Sequence, residues 1–181
     1  ITGGAEVLKN KLGSANYRFQ NLNFTDNYDG TRHEITTNLN FDKLRITGQS
    51  SYLDSKSDLK TTKFFRGNAI AAYSFLKSWI GAKTGFENNE VKTITEDSLT
   101  PLSIKYNAYE VFAGIGDSTK VFVQAGYQYR TNDSLRNGSV QRVDRSNTFY
   151  ANSKILNTQN SQLQIFANYR VLDLVATEET E

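Results

Sequence analysis

The sequence predicts an all-β chain, an antiparallel up-and-down meander of about 8–9 long strands, closed as a β-barrel or forming a segment of a larger one. Three observations carry this. Apolar residues alternate with a period of two along most of the chain. One stretch, residues 31–54, pairs with itself as a single long hairpin with its whole apolar set on one side. Short turns then alternate with longer polar stretches from one hairpin to the next.

In that hairpin Ile35, Thr37, Leu39 and Phe41 occupy odd positions, and Leu44, Ile46, Gly48, Ser50 and Tyr52 even ones. With Asp42-Lys43 as a two-residue turn, Phe41 falls opposite Leu44, Leu39 opposite Ile46 and Ile35 opposite Ser50. Side chains alternate across a strand, so this register puts Leu39 and Ile46 on one face and Asn38 and Thr47 on the other.

Around the hairpin the chain divides into residues 1–30, a linker with a possible first strand; residues 31–172, the β-meander; and residues 173–181, an acidic tail. Residues 1–14 are poorly patterned. Residues 15–24 read as a strand with a bulge near Gln20-Asn21, because Tyr17 and Phe19 share one parity and Leu22 and Phe24 the other. Asn27-Tyr28-Asp29-Gly30 is a turn signal. After a polar connection at residues 55–62, Phe65, Gly67, Ala69, Ala71, Tyr73 and Phe75 run out to a turn at Leu76-Lys77. Ile80, Ala82, Thr84 and Phe86 return, with Phe75 opposite Ser78 and Tyr73 opposite Ile80. This register sends Trp79 to the polar side with Ser74. A polar loop is expected at residues 87–102. Tyr109, Val111, Ala113 and Ile115 follow, turning at Asp117-Ser118-Thr119 so that Ile115 meets Val121 and Tyr109 meets Tyr127. A further loop, residues 131–145, precedes the last hairpin, which turns at Thr158-Gln159-Asn160 and returns through Leu163, Ile165, Ala167, Tyr169 and Val171.

At 181 residues the chain is long enough for one domain with its own core. Ten Tyr, 11 Phe, 12 Gly and a single Pro make a β-rich profile. Lys+Arg (21) and Asp+Glu (19) nearly balance, so no preference for nucleic acid follows. The absence of Cys excludes disulfides, thiolate zinc sites and thiol catalysis, and suits an oxidising envelope. No apolar run approaches the ~20 residues of a membrane-spanning helix, a criterion that does not bear on membrane strands, apolar on one side only. Beginning at Ile1 and lacking Met, the sequence reads as a mature chain or an excised piece of a larger one.

The tight turns all fall at one end of the meander and the long polar stretches at the other, the asymmetry of outer-membrane barrels. Aromatic residues gather at both ends of the apolar face: Phe41, Phe75 and Trp79 towards the turns, Tyr52, Phe65, Phe86, Tyr109, Tyr127 and Phe149 towards the loops. Small residues such as Ala69, Ala71, Ala113 and Ala151 occupy the middle, which a closely packed soluble sheet also explains. Two functional classes therefore stay open. One is a non-enzymatic cell-envelope barrel with a structural, pore or assembly role, contacting membrane lipid and a larger complex. The other is a secreted β-sandwich or meander module that binds glycans or a protein partner, using exposed tyrosines as stacking platforms.

No catalytic, cofactor or metal site assembles from the residue types. His33 is the only histidine and lacks the further ligands or nucleophile that metal or acyl chemistry needs, so a polar surface residue is expected. The acidic pairs Asp26/Asp29, Glu87/Glu90 and Glu96/Asp97 lie in polar stretches without a calcium-loop pattern. Gly114-Ile115-Gly116 has no helix after it to make a phosphate cradle and reads as part of a turn. Asn38, Asn40, Arg45, Gln49, Lys83 and Gln124 lie on the polar face, which lines an aqueous lumen in a barrel and meets solvent in a soluble sheet.

The strands at residues 121–130 (VFVQAGYQYR) and 163–171 (LQIFANYRV), with their Asn-rich turns, resemble the repeated strands of large Bacteroidota outer-membrane β-barrel proteins. The resemblance is one of strand style across residues 31–171 and includes no diagnostic motif. It implies an outer-membrane or cell-surface location and a part in uptake, secretion or surface assembly. The sequence departs from a complete barrel in ending on Thr177-Glu-Glu-Thr-Glu181 rather than an aromatic strand end, and in lacking a plug or TonB box, as a fragment of a larger protein would.

Overall fold

The computed structural model describes residues 2–23, 28–95, 98–117, 121–136, 139–157 and 162–174. They form ten strands: β1 (Thr2–Asn10), β2 (Gly13–Asn23), β3 (Tyr28–Phe41), β4 (Leu44–Ser57), β5 (Lys60–Phe75), β6 (Ser78–Thr95), β7 (Ser98–Gly116), β8 (Phe122–Arg136), β9 (Ser139–Asn157) and β10 (Gln162–Leu174). Each pairs only with its neighbours in sequence, so the chain is one antiparallel up-and-down sheet with β1 and β10 as its edges. Among the described residues β1 and β10 make no contact, and the sheet is open.

The organising hairpin has the register its sequence predicts, Phe41 against Leu44, Leu39 against Ile46 and Ile35 against Ser50. The next follows suit, with Phe75 against Ser78 and Tyr73 against Ile80, so Trp79 lies beside Ser74 on the polar side. Both are closed by two residues of which the first has positive φ, Asp42 at 52° and Leu76 at 55°. That handedness matches the twist of the flanking strands.

Several expectations are corrected. Residues 1–30 contribute two paired strands where a linker and one possible strand were expected. The bulge lies between Glu6 and Leu8 in β1, and β2 pairs with β3 through Gln20 and Asn21 without a shift. Leu22 therefore simply sits on the polar face. In the β7–β8 hairpin Ile115 meets Val123 and Tyr109 meets Tyr129, two residues from the expected pairing. Gly116 (φ 112°) ends β7, and the Asp117 N–H donates to the Val121 carbonyl, making the connection longer than a minimal turn. The polar stretches 55–62, 87–102 and 131–145 are mostly strand: β6 and β7 stay paired out to Thr95 and Ser98. Residues 118–119 and 158–160, expected as turns, residues 137–138 of the expected loop 131–145, and most of the acidic tail (175–181) lie outside the described residues, while Asp173 and Leu174 belong to β10.

The hairpins step past one another at the turn end. Gly13 of β2 pairs with Leu39, and β3 runs two residues further; Phe41, Leu44 and Tyr73 align, and β5 runs two further. Phe75, Ser78 and Ile115 align, with β7 one residue longer; Gly116, Phe122 and Lys154 align, with β9 three longer. The advance averages about one residue per strand. One residue of rise (~3.3 Å) per strand spacing (~4.8 Å) corresponds to strands tilted by about 35°, within the range of closed barrels.

The expected core is absent. Ala108 is the one buried hydrophobic side chain among the described residues, beside four buried polar ones, Ser55, Ser103, Thr131 and Ser146. A single sheet has no second layer to cover its apolar face, and Val111 (56% exposed), Ile115 (60%) and Phe149 (54%) stay open.

Leu76 is the non-glycine, non-Asx residue forced into the left-handed region, and its side chain is fully exposed. Replacing it with glycine removes Cβ strain worth roughly 1 kcal/mol, so Leu76→Gly should raise the urea midpoint of the refolded chain. A lowered midpoint would contradict the turn geometry.

Candidate functional site

The two faces of the sheet differ in chemistry and, along β7 to β9, in exposure. Along β7, exposed Tyr109, Val111, Ala113 and Ile115 alternate with half-buried Glu110, Phe112, Gly114 and Gly116. The apolar set is the open one and the polar set the sheltered one, the reverse of a soluble sheet with one buried face. A groove of about 460 Å³ on the polar side takes its lining from six successive strands, including Thr36, Gln49, Asn68, Lys83, Ala108 and Gln128. Asn68, Ala108 and Gln128 are sheltered there although no second layer covers them, so the sheet curls around its polar face.

On the apolar face, aromatic rings mark the edge nearer the polar strand ends. Phe19, His33, Tyr52 and Phe65 lie directly opposite one another on β2 to β5. Ring centroids are 5.1 Å apart for Phe19–His33, 6.3 Å for His33–Tyr52 and 6.4 Å for Tyr52–Phe65. From Phe65 the boundary steps through Phe86, Tyr109, Tyr129 and Phe149 to Tyr169. It drops six residues of register across five strands, close to the stagger of the turns. Phe65 and Phe75 bound the face on β5, ten residues apart. That is ~33 Å along a strand and, at the tilt above, a band about 27 Å high.

His33 belongs to this ladder. Its Nδ1 is hydrogen-bonded to the Tyr17 hydroxyl at 2.6 Å, which makes it a half-buried ring among aromatics where a polar surface residue was expected. Among the described residues no group of three His, Asp or Glu converges as a metal site. Glu87 pairs with Arg66 and Glu90 with Lys63 in register, on opposite faces, so that acidic pair does not meet. Asp29 lies in β3, whereas Asp26, Glu96 and Asp97 fall outside the described residues. Gly114 is strand rather than turn.

The polar face is held by a device that alternation alone does not reveal. Three bulky aromatics each fold over a glycine directly opposite: Trp79 over Gly114, Phe112 over Gly81 and Tyr150 over Gly126. A Cβ at any of these glycines would run into the ring. The rings in turn order the polar groups. Trp79 Nε1 donates to Gln124 Oε1 at 3.3 Å, and Gln124 Nε2 donates to the Tyr150 hydroxyl at 3.3 Å. The Tyr150 hydroxyl donates to Glu110 Oε1 at 2.7 Å, Gln128 Nε2 to Oε2 at 3.2 Å, and Lys83 Nζ lies 3.8 Å away. The chain of contacts spans β6 to β9. With its carboxylate fully engaged, Glu110 (13% exposed) acts as a strut rather than an acid or base. The sequence signal for it was a glycine and an aromatic at matched register on the polar parity, legible only once the pairing is known.

Trp79 is the sole tryptophan, so its fluorescence reports this packing. Gly114→Ala should push the indole off its seat, red-shift the emission and destabilise the sheet by about 1–3 kcal/mol. Unchanged emission would show that the ring does not rest on Gly114.

Comparison with protein-family models, with curated proteins and with solved structures finds no match to this chain.

Proposed function

We propose that the ten strands are wall of a membrane-embedded outer-membrane β-barrel, non-enzymatic, with a structural, pore or assembly role. One observation carries the reading: along β7 to β9 the exposed face of the curled sheet is apolar, while the sheltered face is polar and hydrogen-bonded. In water this arrangement leaves Ile80, Val111, Ile115, Val123, Phe149 and Ile165 unburied at a cost of order 1 kcal/mol or more each. Lipid removes that cost. The band height of about 27 Å between aromatic borders is close to the ~25 Å expected of the lipid-facing belt. Free backbone edges are not tolerated in hydrocarbon, so β1 and β10 require neighbouring strands, which makes the ten strands an arc of a larger barrel. The polar face then lines the lumen.

The test is partition. The purified chain should need detergent or lipid to stay monodisperse. Val111→Arg, on the apolar face, should cost about 2–4 kcal/mol of folding stability in a bilayer, whereas Gln49→Arg on the polar face should cost little. A chain that is monodisperse without detergent, melts in one transition and tolerates Val111→Arg is instead a soluble binding module.

A further inference from the structure

We propose that the polar face carries an anion site, shaped for a phosphoryl group, on β8, β9 and β10. A pocket of about 280 Å³ is lined there by Gln128, Arg130, Ser146, Thr148, Asn168 and Arg170. The register builds it: Arg130 lies opposite Ser146, and Gln128, Thr148 and Arg170 form the adjacent row. Every lining side chain offers a hydrogen-bond donor, and none is acidic.

The charge is uncommitted here, unlike that of three other cations on the same face. Arg32 and Arg18 both reach Glu34, at 2.6 and 3.7 Å, and Lys83 reaches Glu110. Among the described residues Arg130 and Arg170 have no ion-pair partner. Asp144, two residues from Ser146, accepts from Asn132 Nδ2 at 2.7 Å through Oδ2, and its buried Oδ1 has no hydrogen-bond partner. Arg130 is also positioned in advance: its guanidinium sits 4.8 Å over the Tyr106 ring, and its Nε is buried with no hydrogen-bond partner. A buried guanidinium N–H without an acceptor is costly, and a shift of the side chain towards an oxyanion in the pocket would give it one. Two guanidinium forks match the roughly −1.5 to −2 charge of a phosphate or phosphate monoester at neutral pH, and the Ser146 and Thr148 hydroxyls suit its remaining oxygens. The site is independent of the membrane reading, because it stands on the polar face whatever covers the other.

The experiment is a titration of the refolded chain, ¹⁵N-labelled at arginine, following Nε–H resonances at constant ionic strength. Inorganic phosphate should shift the Arg130 signal saturably and bind at least ten-fold more tightly than acetate or chloride. Arg170→Gln, an exposed change that leaves the fold alone, and Arg130→Lys, which keeps the charge but loses the fork, should each weaken binding about ten-fold or more. Arg45→Gln, on the same face but off the pocket, should not. A parallel arm with glycerol phosphate distinguishes an esterified phosphoryl group, which also binds, from the free ion, which alone binds; either supports the site. Phosphate binding no tighter than acetate, or unaltered by Arg170→Gln, overturns it.

Discussion

The structure depends on one constraint: ten strands in a single layer have to satisfy their backbone laterally and receive no help from a second layer. Strand pairing does the first from β1 to β10, with register shifts at Glu6/Leu8, Asn132/Asp133 and Leu163/Gln164. The second leaves a chain of 181 residues with Ala108 as its one buried hydrophobic side chain among those described. A soluble domain of this size would bury most of its apolar surface between layers. Here the apolar side chains are sorted to one face and left there, so whatever environment meets that face takes over the work of a core.

The sheltered face solves a different problem. Polar side chains lining a curled sheet crowd one another and have to be partnered. Three aromatic–glycine pairs remove bulk where a ring needs room, and the Trp79–Gln124–Tyr150–Glu110 chain links the strands across that gap. Glycine within a strand ordinarily weakens it, and a ring laid across the bare backbone restores cover from water. The same face pairs Glu34 and Glu110 with neighbouring cations and leaves Arg130 and Arg170 without an ion pair among the described residues.

Much of this was legible in the sequence where one face is apolar. The pairings of Leu39 with Ile46 and Tyr73 with Ile80, and the polar placement of Trp79, follow from period-two alternation and two-residue turns. Beyond the apolar band the alternation vanishes, so residues 87–95 and 98–102 look like loop although they form a continuous ladder. The β7–β8 register slipped by two because Gly116 adopts a positive φ and lengthens the connection. Leu22 suggested a bulge because an apolar residue was assumed to keep to the apolar side. The struts, the Tyr17–His33 contact and the Arg130–Arg170 pocket depend on which residues become neighbours across strands far apart in sequence, and no local pattern carries that.

An even number of strands has a further consequence. Because the meander runs up and down five times, Thr2 and Leu174 finish at the same end of the sheet. A block of this kind can be spliced into or out of a ring of strands without inverting anything that follows. Circumference and bore change, whereas the sidedness of every other connection is preserved. Growth of such walls by whole hairpins is thus topologically silent, and the cost of enlargement falls on curvature alone.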